Sequence, residues 1–321
     1  MHAVVLAGGY ATRLWPITKD RPKMFLPVGE ATVIDRIFRE LEADARIETV
    51  YVSTNERFAP EFEAYLQESP FEKPQLSVEQ TAEEDEKFGV IGALAQLVER
   101  EGIDEDLLVV AGDNLISFDM EAFLDRFDAV SGPLLAAYDV GSREKASAYG
   151  LVELDGEEVV EFEEKPADPQ STLVSIACYA FGRESLRFNE YLEGGNNPDE
   201  PGWFIQWLVE RETVSAFPFD EAWFDIGTPG SYLEAVAWAL DGRSVVEDRV
   251  TLEEATVSDQ SLVMGDARLQ NSVVRGSIVF PGAEVVDSEI HNSIIDEGTV
   301  VEGMDLAGAL LGAHTRLTNG E

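Results

Sequence analysis

The sequence holds one cysteine, three histidines and six lysines in 321 residues. The lone Cys178 excludes a disulfide framework and points to a reducing compartment, the cytoplasm. Its neighbours Ile176, Ala177, Tyr179, Ala180 and Phe181 read as a strand, so Cys178 is expected to be a small buried hydrophobe. No apolar run approaches membrane-spanning length, and the N-terminus lacks the basic stretch of a signal peptide. Positive charge is scarce as a class: 23 Lys and Arg against 63 Asp and Glu leave a formal charge of −40. Such a charge argues against a nucleic acid partner or an anionic membrane surface. An acidic surface poor in lysine suits molar salt, where screening removes self-repulsion. With 45% hydrophobic residues, the chain is still long enough for two domains and a substantial core.

Two of the few lysines, Lys23 and Lys165, stand in stretches that carry chemistry. The run Ala3-Val4-Val5-Leu6 is short and apolar enough to be the first buried strand of an α/β sheet. It passes through Leu6 and Ala7 into Gly8-Gly9, which delivers backbone N–H groups where a phosphate could approach closely. Arg13 offers a planar fork of donors and Lys23 a compact point charge, both suited to phosphate oxygens. Thr32 precedes an amphipathic helix over 33–41, and strands over 49–53 and 107–111 alternate with helices over 60–67 and 90–98. That rhythm predicts a parallel, doubly wound Rossmann-like sheet whose ligands bind at the carboxyl ends of the strands. Gly112-Asp113 follows the strand 107–111 directly, placing a carboxylate on the same edge as Gly8-Gly9. A carboxylate beside phosphate-binding cations makes sense with a hard ion such as Mg²⁺ between them.

From Pro133 the pattern changes to strands and turns. The segments 149–154 and 159–162 alternate across Asp155-Gly156, a hairpin signal, and a strand is expected over 173–181. Pro229 opens an Ala-rich helix that ends near Gly242. Trp203, Phe204, Trp207 and Trp223 are expected in the core rather than stacked on a base. Beyond residue 243 the segments starting at Ser261, Ser277, Ser293 and Ala309 recur every 16 residues, each with a paired apolar step, a small turn and another apolar residue. This suits the coils of a short parallel β-helix. Domains over 1–243 and 244–321 follow.

The string Gly8-Gly9, Thr12-Arg13-Leu14, Pro16, Thr18, Pro22-Lys23 and Leu26-Pro27-Val28 resembles the signature of the sugar-nucleotide pyrophosphorylases. Those nucleotidyltransferases make NDP-sugars from a nucleoside triphosphate and a sugar 1-phosphate. Ala11 departs from the pattern, since the family usually has a second close-approach glycine there. The resemblance implies that Arg13, Lys23 and Asp113 are catalytic, with Arg13 on the leaving phosphates and Lys23 on the α-phosphate. It implies nucleotide contacts at Leu6, Ala7, Gly8, Gly9, Gln80 and Gly89, the last two flanking the acidic loop 82–88 and meeting the base. Gly150, Glu164 and Lys165 resemble the sugar 1-phosphate half of the site, with Ala177 where the family often has glycine. Asp225 in Trp223-Phe224-Asp225-Ile226-Gly227-Thr228-Pro229 matches the second carboxylate on Mg²⁺, beside Asp113.

Glucose 1-phosphate with UTP or dTTP is the expected pair, mannose 1-phosphate with GTP the alternative. With the charge, the resemblance suggests a haloarchaeal member. A non-catalytic sensing subunit would be expected to lose a metal carboxylate or the motif lysine, and this sequence keeps Arg13, Lys23, Asp113 and Asp225. The C-terminal coils resemble the left-handed hexapeptide β-helix appended to several of these enzymes, though 16 residues is shorter than its usual coil. Some relatives carry acetyl transfer in such a helix; here only His291 and His314 are available, so a structural or self-associating role is expected, giving a homo-oligomer.

Overall fold

The computed structural model describes residues 1–79 and 88–319. By internal contacts they form two units, one of residues 1–9 and 36–223 and the other of 10–35 and 224–319. The expected division after residue 243 falls inside the second unit, because the stretch 10–35 groups with residues 224–319, the helix Pro229–Ala239 and the coils together.

The first unit is built on a nine-stranded sheet in the order Pro74–Glu79, Thr49–Asn55, His2–Leu6, Leu107–Ala111, Leu173–Phe181, Leu134–Asp139, Ser215–Phe219, Glu158–Glu164 and Gly150–Asp155. The first four are mutually parallel, as the strand and helix alternation predicts. Leu173–Phe181 then runs antiparallel to both neighbours, so the sheet is mixed rather than wholly parallel. The hairpin across Asp155-Gly156 forms as expected, with Gly156 at a φ of 66° in the turn. Central strands such as Leu107–Ala111 are apolar throughout and buried on both faces. The helices Val33–Ala43, Ala59–Glu68 and Gly89–Glu101 match their predicted positions within a few residues. Cys178 is fully buried, and burial pushes its thiol far above the usual range.

In the second unit the coils stack in register at 16 residues: Leu262 pairs with Ile278, Ile278 with Ile294 and Ile294 with Leu310. Three parallel ladders result, around a core that includes Val263, Leu269, Val274, Val279, Val285, Ile290, Ile295 and Val301. The corners need left-handed backbone, which favours Gly, Asn, Asp and His: Asp266, Gly282, Gly298 and His314 stack at one corner, Gly276, Asn292 and Gly308 at another, all at positive φ. His314 thus has a corner to fill, and His291 lies 3.3 Å from Glu289. Buried serines repeat in the same way. Ser261 accepts from the Ser277 amide at 3.2 Å, Ser277 from Ser293 at 3.0 Å, and Ser293 from Ala309 at 3.0 Å.

Ser277 also donates to the Arg275 carbonyl at 2.7 Å. Ser277→Ala should therefore destabilise the coils by about 1–3 kcal/mol, chiefly because the buried Ser293 amide loses this bond. Chemical denaturation read on the C-terminal unit checks this; a loss within experimental error would mean that the serine column contributes nothing.

Candidate active site

The carboxyl edge of the parallel strands gathers the first group of expected site residues. Leu6 stands level with Ser53 on one side and Ala111 on the other. The chain leaves Leu6 tied on both sides: the Ala7 amide donates to Ser53 O at 2.7 Å, and the Gly112 amide donates to Leu6 O at 2.9 Å. Thr54 Oγ1 holds the Ala7 carbonyl at 3.2 Å and Asn55 Nδ2 the Gly8 carbonyl at 3.0 Å. Gly8 and Gly9 differ in their surroundings. A Cβ on Gly8 would stand 3.2 Å from Glu79 Oε1, whereas one on Gly9 would meet none of the described residues within 4 Å. Ser53 Oγ donates to that same Glu79 oxygen at 3.0 Å. A carboxylate repels an anion, so of the two glycines Gly9 is the one whose surroundings suit a negatively charged group. Sequence reasoning missed Glu79, whose signal is its place as the last residue of an edge-directed strand, just before Gln80. Gln80 itself, with most of the acidic loop, lies outside the described residues. Gly89 opens a helix at a φ of 74°, and a Cβ there would stand 2.4 Å from the Pro198 carbonyl oxygen; the packing admits glycine alone.

Asp113 is oriented by its neighbour. Asn114 Nδ2 donates to Asp113 Oδ1 at 2.9 Å, and Trp223 Nε1 donates to Asn114 Oδ1 at 2.5 Å. The Trp223 ring in turn meets Tyr149 edge-on at 5.1 Å between centroids. Trp223 is thus half-buried rather than a core residue, because its indole N–H is committed to Asn114. Of the other expected core aromatics Phe204 is buried, Trp207 lies between Arg187 and Arg211 at 4.9 and 4.3 Å, and Trp203 is exposed.

Beyond Tyr149 lies the second expected group. Glu164 is 7% exposed, and its carboxylate fits only because two neighbours lack a side chain. A Cβ on Gly150 would stand 2.8 Å from Glu164 Oε2, and one on Gly202 1.7 Å from it. Gln206 Oε1 accepts from the Glu164 amide at 3.1 Å. Burial pushes the Glu164 carboxyl up to about 7, with Lys165 opposing and Glu200 adding to the shift. Lys165 takes a φ of 47°, donates its amide to Tyr149 O at 3.1 Å, and pairs its ammonium with Glu200. Gly202, Gln206 and Glu200 were not found from the sequence. All three lie at or just before the helix Pro201–Val209, which is far from Glu164 in sequence.

Arg13, Lys23 and Asp225 belong to the other unit. Ala11 adopts φ 50° and ψ 41°, the backbone a glycine takes readily, so the loop keeps its left-handed turn without the glycine. Thr18 Oγ1 braces it by donating to Ala11 O at 2.9 Å. Arg13 reaches Gly227: a Cβ there would stand 3.1 Å from Arg13 Nη2 and 3.5 Å from Asp225 Oδ1. Gly227 therefore leaves room for a guanidinium and a carboxylate side by side. Thr228 caps the helix Pro229–Ala239 in a reciprocal box with Ser231. The carboxylates of Asp113 and Asp225 are hard oxygen donors, a chemistry that fits Mg²⁺.

Residues 2–242 match the profile of the nucleotidyl transferase family. The chain belongs to that family. It is 30% identical over 234 residues to a protein of Sulfolobus acidocaldarius named as a mannose-1-phosphate guanyltransferase, covering 73% of this chain. It spans only 61% of that protein's length, and 61% of the bifunctional protein GlmU of Methanocaldococcus jannaschii. A glucose-1-phosphate adenylyltransferase of Bacillus cereus is 26% identical, with 93% of this chain and 94% of that protein covered. A crystal structure named as a glucose-1-phosphate thymidylyltransferase of Bacillus anthracis shares the fold, with a TM-score of 0.65 over 76% of this chain and 97% of that one, at 24% identity. Among the described residues no helix is long and apolar enough to cross a membrane.

The raised Glu164 gives a pH test. A carboxyl whose folded pKa lies above its ordinary 4.5 contributes stability that is present below 4.5 and lost as pH rises through about 7. Between about pH 5 and about pH 8, the protein should lose stability relative to Glu164→Gln, measured by denaturation in parallel. A gap that does not change with pH would show that Glu164 is not held protonated by its site.

Proposed function

We propose that this nucleotidyl transferase joins a nucleoside triphosphate to a sugar 1-phosphate, giving an NDP-sugar and pyrophosphate. The observation that supports this most is the shared edge: Gly8-Gly9 and Gly112-Asp113 leave neighbouring parallel strands at one level, tied by the Gly112 to Leu6 hydrogen bond. An open glycine beside an oriented carboxylate suits a nucleotide whose phosphates carry a divalent ion. In this reading an oxygen of the sugar 1-phosphate attacks the α-phosphorus in line, and no side chain is needed as nucleophile. Arg13 binds the β,γ-phosphates that leave, and Lys23 neutralises charge developing on the α-phosphate. Glu164 accepts from sugar hydroxyls, Gly150 meets the sugar through its backbone, and Lys165 binds the sugar phosphate. Gly89 and Gln80 serve the base. Asp113 and Asp225 would hold Mg²⁺, which when bound neutralises phosphate oxygens.

Glucose 1-phosphate with UTP or dTTP remains our first substrate pair. The Sulfolobus relative's name favours mannose 1-phosphate with GTP as the second. The charge of −40 supports a cytoplasm of molar salt, and the coils offer a surface for self-association.

Pyrophosphate release should be measured in molar salt with Mg²⁺, crossing UTP, dTTP, GTP, CTP and ATP against glucose, galactose, mannose and N-acetylglucosamine 1-phosphates. One strong pair is expected, and Lys23→Ala should then fold normally and lose about 10²–10³ in kcat. No turnover from folded protein that still binds nucleotide would favour the sensing-subunit reading, and near-normal turnover by Lys23→Ala would remove Lys23 from the role given.

A further inference from the structure

The solenoid breaks its own repeat at one position. Phe280, Asp296 and Gly312 follow the apolar pairs Ile278–Val279, Ile294–Ile295 and Leu310–Leu311, so they stand one above the other at the same place in three successive coils. Their backbones confirm the column, with Phe280 N donating to Ile295 O at 2.9 Å and Asp296 N to Leu311 O at 3.1 Å. The two positions before it repeat as aliphatics; this column holds an aromatic ring, a carboxylate and a bare backbone. Phe280 and Asp296 are nonetheless each only 3% exposed. A carboxylate that buried needs a partner.

The Glu297 amide donates to Asp296 Oδ1 at 2.8 Å, and the charged partner comes from the stretch that carries Arg13 and Lys23. Arg21 Nη2 donates to Asp296 Oδ1 at 3.3 Å, and the Arg21 guanidinium lies over the Phe280 ring at 5.0 Å. Pro16 closes on the third member: a Cβ on Gly312 would stand 2.7 Å from the Pro16 ring. Further along, the buried Tyr232 hydroxyl donates to Pro27 O at 2.8 Å. The segment is therefore fastened at residues 16, 21 and 27. Lys23 lies between the second and third fastenings, and Arg13 one turn ahead of the first.

We propose that the column Phe280, Asp296 and Gly312 of the β-helix is the seat that positions the segment bearing Arg13 and Lys23, so that the coils act on catalysis through those two cations. Arg21 and Asp296 are positioning residues in this scheme, since they act through Arg13 and Lys23. The proposal rests on the phosphate-binding roles proposed above for those two cations. It differs from a merely stabilising or self-associating solenoid in what it predicts for catalysis. The pair is mostly shielded, so molar salt should weaken it little.

The test uses the full chain in molar salt and two measurements. In steady-state pyrophosphate release, Asp296→Ala and Arg21→Ala should each lower kcat by about ten-fold or more and raise the KM for the nucleotide, because misplaced groups lose most of their effect. The KM for the sugar 1-phosphate should stay within about two-fold, and the double variant should be no worse than the poorer single one, as for residues sharing one interaction. Arg21→Lys, which keeps the charge and loses the fork and the flat face, should fall between. In amide exchange, Leu14, Ile17 and Leu26 should exchange faster in both variants while Val4 and Val5 do not change. Should Asp296→Ala fail to fold, Arg21→Ala carries the test from outside the solenoid. Variants that keep kcat and the nucleotide KM would overturn the proposal, as would unchanged exchange at Leu14, Ile17 and Leu26. Absence of turnover by the unsubstituted chain on every substrate pair would instead defeat the transferase reading, and exchange alone would then decide the seat.

Discussion

Parallel pairing in strict register is the constraint on which both units depend. In the sheet it puts Leu6, Ser53 and Ala111 at one height, so the chain segments that follow them begin at a common edge. Backbone groups at that edge have no further strand to pair with. They are satisfied by the loops themselves: Ala7 by Ser53, Gly112 by Leu6, the Gly8 carbonyl by Asn55. The loop that exposes Gly9 is rigid for this reason, and the carboxylate of Asp113 starts from a fixed point. Register in the solenoid has a different effect. Any property of one residue is stacked on its equivalent in the next coil, so a corner that needs left-handed backbone needs it at each level, and a serine that satisfies an amide does so again 16 residues later.

How much of this was legible follows from the range of the interactions. Local signals read well. The first strand, the hairpin across Asp155-Gly156, the strand Leu173–Phe181, the Pro229 helix start and the 16-residue period are each set by residues close in sequence. Long-range relations did not. Leu173–Phe181 inverts the direction of the sheet, yet nothing within its nine residues says which neighbours it pairs with. Glu164 needs Gly202, and Gly89 needs its clearance from Pro198, over separations where no spacing rule applies. Trp223 was misjudged because an aromatic beside apolar residues reads as core, while its one polar atom goes to Asn114.

The division of the molecule shows the same limit. Composition and period change near residue 243, and a boundary there is what the sequence offers. Packing groups residues 10–35 with 224–319: Arg21 and Pro16 find their partners in the coils, at Asp296 and Gly312, and Pro27 at Tyr232 in the helix Pro229–Ala239. The clue in the sequence was a defect in a pattern: Asp296 follows two positions that are aliphatic in each coil, Ile278–Val279, Ile294–Ile295 and Leu310–Leu311. A charged residue at a repeat position is ordinarily read as solvent-facing, and only its burial shows that a partner covers it.

Ala11 ties these strands of reasoning together. A left-handed alanine costs about 1–2 kcal/mol relative to ordinary backbone, and such a residue persists only where its surroundings leave no alternative. The surroundings here are specific. Ala11 O accepts from Thr18 Oγ1 at 2.9 Å and from the Leu14 amide at 3.0 Å, so relaxing its φ would strand a buried threonine and undo the turn that carries Arg13. Those two bonds hold only if the stretch from Thr12 to Thr18 keeps its own place, and Pro16 is held against Gly312. The strain at Ala11 is thus balanced by contacts that end on the solenoid, which accounts for an alanine holding this left-handed turn.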